Sequence, residues 1–294
     1  MKSQSNVRSA RQLLGGAIFT GAVLLLAAAA PAQNLFMANY GQNLYEFTPG
    51  GVPSTFASDK DGSGLAFNAA GDLFAAGFDS GNITEYKPGG GSVTYASVTN
   101  PEGLAVDSTG DLLVTSYSGG TITKITPGGS TSTFASGLSA PYGLAFNSAG
   151  DLFVSGLNSG IITEITPNGT PATYASGFSQ PTGLAFDSAG DLFVADEGAS
   201  TITEITATGV ESTFATGLGD PSGLAFNSAG NLFEGDAGSG HIYEFTPGGT
   251  KTSFASGYID AGFLAFQPAP EPSVWGLLAI GTTALRYRRG RRSN

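Results

Sequence analysis

A repeat of about 40 residues constrains this chain more than any other feature of its sequence. The tetrapeptide Gly-Leu-Ala-Phe, or a near copy, occurs six times, with its leucine at Leu65, Leu104, Leu144, Leu184, Leu224 and Leu264. A run resembling Ile-Thr-Glu-Ile and a third run centred on Phe or Tyr recur at the same spacing. A fixed period in this range indicates one supersecondary unit that is copied along the chain.

Each repeat predicts four short β-strands, which we call a to d in chain order. Residues 143–176, for example, contain four runs rich in β-branched and aromatic residues, separated by clusters of Gly, Pro, Asn and Ser. This pattern is typical of strands and shows no helical period. Strands a and b are apolar on both faces, whereas strand c alternates Thr and Glu with Ile, so strand c is expected to lie further out. Four antiparallel strands repeated radially form the blade of a β-propeller.

The two ends of the repeat region predict how the ring closes. The first unit begins at strand b, residues 34–38, and the last unit ends with a lone strand a, residues 262–266. Neither end makes a complete blade, but together they supply three strands and one. The sequence therefore predicts an all-β, six-bladed β-propeller over residues 33–269, with four-stranded antiparallel blades and a 3+1 closure.

Residues 181–187 and 190–196 resemble the NHL-repeat pattern. Residues 33–267 as a whole resemble the wider group of six-bladed propellers that includes the gluconolactonase-like and virginiamycin B lyase-like proteins. The resemblance implies the six-bladed fold. It leaves function open, because these propellers include binding modules as well as several unrelated enzymes.

Residues 1–32 have the composition of a secretory signal peptide. Lys2, Arg8 and Arg11 precede an apolar stretch that closes on Ala30-Pro31-Ala32, an A-x-A cleavage pattern. We therefore expect processing by signal peptidase and a mature chain that starts at Gln33. The chain has no cysteine, which excludes disulfides and thiol chemistry.

Residues 270–294 contain a second predicted signal. An apolar run separates a Pro-Glu-Pro motif from a cluster of arginines, which together comprise Pro270, Glu271, Pro272, Arg286, Arg288, Arg289, Arg291 and Arg292. This order resembles the PEP-CTERM sorting signal of Gram-negative bacteria, which implies recognition by an exosortase-type processing enzyme. The apolar run, residues 274–285, is shorter than the roughly 20 residues of a stable membrane span. We expect transient inner-membrane anchoring and then release to the cell surface or the extracellular space. The alternatives are a retained anchor or a basic tail that binds anionic surfaces.

The charge of the propeller region excludes one class of partner. Residues 33–269 contain four lysines, no arginine and 22 acidic residues, a net charge of about −18. Such a surface repels phosphate backbones, so we expect no nucleic-acid binding. Extracellular polysaccharides and surface proteins are the candidate partners, and an acidic polysaccharide would need a bridging divalent cation.

The two rims of the predicted ring differ in sequence. The lower rim, formed by the a-to-b and c-to-d loops, repeats Asn-Ser-Ala-Gly-Asp and Thr-Pro-Gly-Gly, and its aspartates (Asp72, Asp111, Asp151 and Asp191) are predicted to be turn residues. The upper rim, formed by the d-to-a and b-to-c loops, varies between repeats. Variation confined to one rim is typical of a ligand face, although drift in exposed loops is an alternative. The candidate ligand-binding residues are Tyr40, Asp79, Glu102, Tyr117, Tyr142, Asn158, Asp196, Glu197, Asp220 and Asp236.

Glu234 and Asp236 form a candidate metal site. Glu234 stands in an inner strand where other repeats have Ala or Val, and strand alternation places it on the same side as Asp236. Two such acids can recruit Ca²⁺, which prefers oxygen ligands. The alternative is that Glu234 simply reaches solvent at the channel. Asp59 and Asp61 are only a fragment of a calcium loop, and His241 is expected to be a surface residue.

The sequence favours an exported binding or scaffolding module that acts at the cell surface or in the extracellular matrix. It contains no recognisable catalytic constellation, so no catalytic residue is assigned. The alternative hypothesis is a lyase or lactonase-like enzyme that acts at the variable rim, with Ca²⁺ as its one candidate cofactor.

Overall fold

The computed structural model describes residues 32–41, 43–58 and 62–269. In this part of the chain it contains 24 β-strands and one short 3₁₀ helix, Glu197–Ala199. No helix among the described residues is long and apolar enough to cross a membrane. The predicted signal peptide up to Pro31, the sorting signal at 270–294 and the loop with Asp59 and Asp61 lie outside the described residues.

The strands follow the order that the repeat predicts. The first twelve are β1 (Leu35–Asn39), β2 (Leu44–Phe47), β3 (Pro53–Ala57), β4 (Gly62–Phe67), β5 (Leu73–Gly77), β6 (Asn82–Tyr86), β7 (Ser92–Ser97), β8 (Pro101–Val106), β9 (Leu112–Ser116), β10 (Thr121–Ile125), β11 (Thr131–Ser136) and β12 (Pro141–Phe146). The second twelve are β13 (Leu152–Gly156), β14 (Ile161–Ile165), β15 (Pro171–Ser176), β16 (Pro181–Phe186), β17 (Leu192–Asp196), β18 (Thr201–Ile205), β19 (Glu211–Thr216), β20 (Pro221–Phe226), β21 (Leu232–Asp236), β22 (His241–Phe245), β23 (Lys251–Ser256) and β24 (Ala261–Phe266).

These strands form six four-stranded antiparallel sheets, which are the six blades. Blades 1 to 5 are built from consecutive strands, β4–β7, β8–β11, β12–β15, β16–β19 and β20–β23. In blade 6, β24 pairs with β1, with Leu35 opposite Phe266 and Met37 opposite Leu264. The predicted propeller and its 3+1 closure are therefore confirmed.

Apolar layers between neighbouring blades form the core. Phe193 of blade 4 packs edge-on against Phe214 of its own blade and Phe226 of blade 5, with ring centroids 5.0 and 5.1 Å apart. Phe233 of blade 5 repeats this arrangement with Phe254 and with Phe266 of blade 6. The interface between blades 5 and 6 thus has the same packing as the interface between blades 4 and 5, and each edge-to-face pair adds to the burial of apolar area.

The a strands of blades 1 to 5 lie in close backbone contact around the axis. Each has glycine at its third position, and a Cβ atom on Gly103 would lie 2.2 Å from the carbonyl oxygen of Tyr142 in the next blade. The same contact would be 2.1 Å between Gly183 and the oxygen of Ser222. Only glycine fits such an approach. Phe263 occupies the equivalent position in blade 6.

The lower rim consists of repeated side-chain-capped turns. In blade 3 the side-chain oxygen of Asn147 accepts hydrogen bonds from the backbone N–H groups of Ala149 and Asp151. Its amide donates to the Asp151 carboxylate, at 3.0 Å. Such Asx turns stabilise a tight connection. The assignment of the repeated lower-rim aspartates to turns is confirmed.

Candidate functional site

A cavity of about 230 Å³ opens on the upper rim, where the six a strands begin. All six blades contribute to its wall. We call it the channel-mouth pocket and define it by the carboxylates, aromatic rings and hydroxyl groups that line it: Glu102, Glu197, Asp220, Asp260, Tyr40, Tyr142, Phe263, Ser63 and Ser222. Five of these were candidate rim residues in the sequence, namely Tyr40, Glu102, Tyr142, Glu197 and Asp220.

Two aromatic rings from opposite blades meet in the pocket. Tyr142 of blade 3 and Phe263 of blade 6 stack with ring centroids 5.4 Å apart and an interplanar angle of 25°. The Tyr142 hydroxyl also hydrogen-bonds to the side chain of Ser222. Burial, followed by the charges of Glu102 and Glu197, raises the pKa of Tyr142. The pocket therefore presents a stacked aromatic pair in which the phenol of Tyr142 is neutral.

Four carboxylates surround these rings. Glu102 is the second residue of β8 and is buried, whereas Glu197 begins the 3₁₀ helix and is half-buried. Burial is the main cause of the raised pKa of Glu197, and the charges of Asp220 and Asp196 add to it. Asp220 and Asp260 are exposed in d-to-a loops. Because the residues lining the pocket include no Lys, Arg or His, the pocket has a negative potential.

Asp196 and Asp236 have a different role in the structure, because each ends a b strand and turns toward the neighbouring loop. The Asp236 carboxylate accepts hydrogen bonds from the backbone N–H groups of Gly219, Asp220 and Ser239, at 2.7, 3.1 and 2.9 Å. Asp196 accepts two equivalent bonds in blade 4. Burial opposes ionisation of Asp236, but the backbone hydrogen bonds lower its pKa overall. Neither residue lines the pocket; each holds the d-to-a loop in place.

Glu234 lies inside the protein, so the interpretation that it reaches solvent at the channel was wrong. It is fully buried on β21, and neither carboxylate oxygen has a hydrogen-bond partner among the described residues. Leu232, two residues earlier on the same face, belongs to the apolar layer between blades 4 and 5. Burial, and secondarily the charge of Asp236, raises the pKa of Glu234 to about 9.

This arrangement does not suit a Ca²⁺ ion at Glu234 and Asp236. Calcium takes six to eight oxygen ligands, whereas the oxygens of Asp236 already accept three backbone hydrogen bonds. The described residues contain no group of three or more His, Cys, Asp or Glu side chains placed to hold a metal. The Ca²⁺ site that the sequence predicts at Glu234 and Asp236 therefore has no support among the described residues.

Three other candidate rim residues lie outside the pocket. Asp79 and Asn158 are exposed on b-to-c loops. Tyr117 belongs to an aromatic row that starts at Tyr40, whose ring centroid lies 6.1 Å from that of Phe78, while Phe78 lies 6.2 Å from Tyr117. The row follows the upper rim over blades 6, 1 and 2 and reaches the pocket at Tyr40.

The candidate residues did not include Phe263, Asp260 or the two serines, although Asp260 lies in a d-to-a loop of the variable rim. Phe263 did carry a usable signal, because it replaces the glycine found at the same position in the other five repeats. Asp260 is one of the few residues other than glycine with a positive φ, 54°, which turns the chain sharply into β24. That conformation is not evident from the sequence.

Comparisons with known proteins agree with the fold. The NHL-repeat family matches residues 178–204, which lie in blade 4 and the loop before it. No curated protein matches the chain. A structure of virginiamycin B lyase from Staphylococcus aureus is 20% identical, with a TM-score of 0.58 over 76% of this chain and 74% of that one.

Two further solved structures are similar. A nidogen/laminin complex contains a chain that is 17% identical, with a TM-score of 0.73 over 81% of this chain and 99% of that chain. A putative gluconolactonase is 16% identical, with a TM-score of 0.59 over 70% and 87% of the two chains. At these identities the likeness concerns the fold. The chain is a six-bladed β-propeller in which residues 178–204 match the NHL repeat, and its fold is similar to the folds of these three structures.

Proposed function

We propose that this chain is an exported binding propeller and that the channel-mouth pocket is its ligand site. The observation that carries the proposal is the composition of the pocket, to which all six blades contribute side chains. A rigid, closed ring holds these side chains in fixed positions, which lowers the entropic cost of binding. Concave sites with a few convergent polar groups are typical ligand sites.

The two terminal signals support a location outside the cytoplasm. The signal-peptide pattern at 1–32 directs the chain to export, and the Pro-Glu-Pro motif with its apolar run and arginines directs it to an exosortase-type enzyme. Release from the inner membrane would leave the propeller at the cell surface or in the extracellular matrix. The partners open to it there are extracellular polysaccharides and surface proteins.

The size of the pocket limits what it binds. A volume of about 230 Å³ is smaller than the ~300–1,000 Å³ of typical small-molecule sites. It therefore accommodates one head group, one sugar unit or one side chain of a larger partner. The remaining contacts with such a partner would fall on the upper rim, along the row formed by Tyr40, Phe78 and Tyr117.

We expect Ala237→Trp to abolish binding by filling the pocket. Ala237 lines the pocket from a b-to-c loop, so an indole at this position would occupy much of the cavity. Ala149→Trp is the matched control, since Ala149 is an exposed loop residue on the lower rim. Binding of the full-length protein to extracellular polymer from the producing cells should fall at least tenfold for Ala237→Trp and stay unchanged for Ala149→Trp. Equal binding of both variants would refute the pocket as the ligand site.

A lyase or lactonase-like activity at the same pocket is the second candidate. It is favoured by the position of Glu197, which lines the same pocket as Asp220 and Tyr142, because a carboxyl group beside a second acid and a hydroxyl can act as a general acid or base. Burial, with the charges of Asp220 and Asp196, raises the pKa of Glu197. Turnover of a lactone or of virginiamycin B that is lost in Glu197→Gln would favour the enzyme over the binding module.

A further inference from the structure

We propose that the channel-mouth pocket recognises a small organic cation, an ammonium head group carried on an aliphatic body. This inference rests on the proposed function, because it names the ligand class of the same pocket. Three features of the described residues support it: the sign of the charge in the pocket, the aromatic rings in its wall, and the size of the cavity.

The first feature is the charge distribution. Glu102, Glu197, Asp220 and Asp260 come from blades 2, 4, 5 and 6 and surround one cavity. The lysines of the described residues lie elsewhere. Lys87 pairs with Asp72 and Glu85, and Lys124 with Asp107 and Asp111, on the lower rim, whereas Lys251 lies over the ring of Tyr243. A cation entering the pocket therefore meets the focused field of four carboxylates.

The second feature is the aromatic wall. Tyr142 and Phe263 stack across the axis, and Tyr40 stands at the edge of the same cavity. The face of an aromatic ring attracts an ammonium group within about 6 Å of its centroid. The described residues contain no group of three or more His, Cys, Asp or Glu side chains placed to hold a metal ion, whereas aromatic rings can contact the methyl or methylene groups of an organic cation. The combination of rings and carboxylates thus favours an organic cation over a bare metal ion.

The third feature is volume. The cavity of about 230 Å³ is much larger than a dehydrated metal ion and matches a head group of several heavy atoms. The hydroxyl groups of Ser63, Ser222 and Tyr142 line the same space and can bind a hydroxyl or amine hydrogen of the ligand. A neutral sugar also fits this volume, but it gains no attraction from the four carboxylates. A charged and a neutral ligand of the same shape should therefore differ in affinity, and this difference can be measured.

The test compares choline with its neutral isostere, 3,3-dimethylbutan-1-ol, by calorimetry on the full-length protein at low ionic strength. The two probes have nearly the same shape and differ in charge. We expect choline to bind at least tenfold more tightly, and its affinity to fall as sodium chloride is added. Glu102→Gln and Asp220→Asn should each weaken choline binding at least threefold. Glu46→Gln, on an outer strand of blade 6, should not.

Two results would overturn the inference. One is equal affinity for the charged and neutral probes, and the other is an absence of choline binding by a protein whose melting temperature shows that it is folded. Asp220 is exposed, so its variant reports on the charge even if Glu102→Gln does not fold. Failure of the choline prediction is distinguishable from failure of the proposed function. If choline fails while Ala237→Trp still abolishes polymer binding, the pocket is a ligand site for another chemistry.

Discussion

Replacing Glu234 with valine is expected to raise the free energy of unfolding at pH 8 by about 4 kcal/mol. Glu234 is fully buried and its carboxylate has no hydrogen-bond partner among the described residues. Burial of an unpaired ionisable group is costly. Val194 stands at the equivalent position in blade 4, so a valine side chain suits this part of the strand. The variant should therefore restore an uninterrupted apolar layer between blades 4 and 5.

The gain should depend on pH in a defined direction. The pKa of Glu234 rises from an ordinary value of 4.5 to about 9 in the folded protein. Between these values the folded state holds a proton that the unfolded state has lost. Stability is therefore fully retained below about pH 4.5 and falls as the pH rises, by up to ~1.4 kcal/mol per unit, until about pH 9. Glu234→Val removes this loss, so its advantage grows with pH.

Urea unfolding at pH 5, 6.5 and 8 measures this effect. The free energies of unfolding of the parent protein and the Glu234→Val variant should diverge as the pH rises. The two proteins share all other titrating groups, so the difference reports on Glu234. Glu204→Val is a suitable control, since Glu204 is half-buried at mid-strand in the neighbouring blade; it should show no comparable gain. Parallel stability curves for the parent and Glu234→Val would contradict the buried, protonated state of Glu234.

Gly103→Ala is expected to destabilise the protein by about 3 kcal/mol, although it adds only one methyl group. The new Cβ would lie 2.2 Å from the carbonyl oxygen of Tyr142, a backbone atom of the neighbouring blade. Neither strand can move without disturbing the ring. The substitution also lies between Glu102 and the Tyr142 segment, so we expect ligand binding at the pocket to weaken with stability.

Gly248→Ala provides the matched control for this prediction. Gly248 lies in a lower-rim turn, has no positive φ, and a Cβ there would meet no atom within 4 Å. Its substitution should change the melting temperature by little. Thermal unfolding of both variants measures the difference. Equal melting temperatures would show that the a strands do not pack as closely around the axis as the structure indicates.

The fold was largely predictable because all six repeats carry the same pattern of strand and turn residues. Period, turn residues and strand patterning agree within each unit, and the incomplete units at the two ends predict the pairing of β24 with β1. The structure confirms this pairing at Leu35 and Phe266. These features are local to one repeat, so the fold could be predicted without knowing the contacts between blades.

The site was predictable only in part, because its details depend on contacts between blades. Variation on the upper rim identified Glu102, Tyr142 and Glu197, but it equally selected Asp236. The sequence does not reveal that the Asp236 carboxylate turns toward the backbone N–H groups of a neighbouring loop. The sequence alone does not distinguish a carboxylate that binds a ligand from one that accepts hydrogen bonds from a loop.

Glu234 shows a related limit. Alternation correctly placed it on the face of Asp236, but that face packs against the neighbouring blade rather than the solvent of the channel. The sequence did contain a signal that Glu234 is buried, because the equivalent residue is apolar in the five other blades. A position that is apolar in every other blade is expected to lie in the core. The equivalent residues are Met37, Ala75, Val114, Val154 and Val194.

Photocrosslinking from position 263 tests the central claim most directly, namely that ring closure brings opposite blades together at one pocket. Phe263 would be replaced by p-benzoylphenylalanine, a phenylalanine with a photoreactive benzoyl group at the para position. The irradiated protein would be digested with chymotrypsin and analysed by mass spectrometry. We predict a cross-link between position 263 and the peptide that contains Tyr142, because these two rings stack at 5.4 Å. Cross-links that reach only blades 1 and 5, with none to the Tyr142 peptide, would contradict the closed pocket.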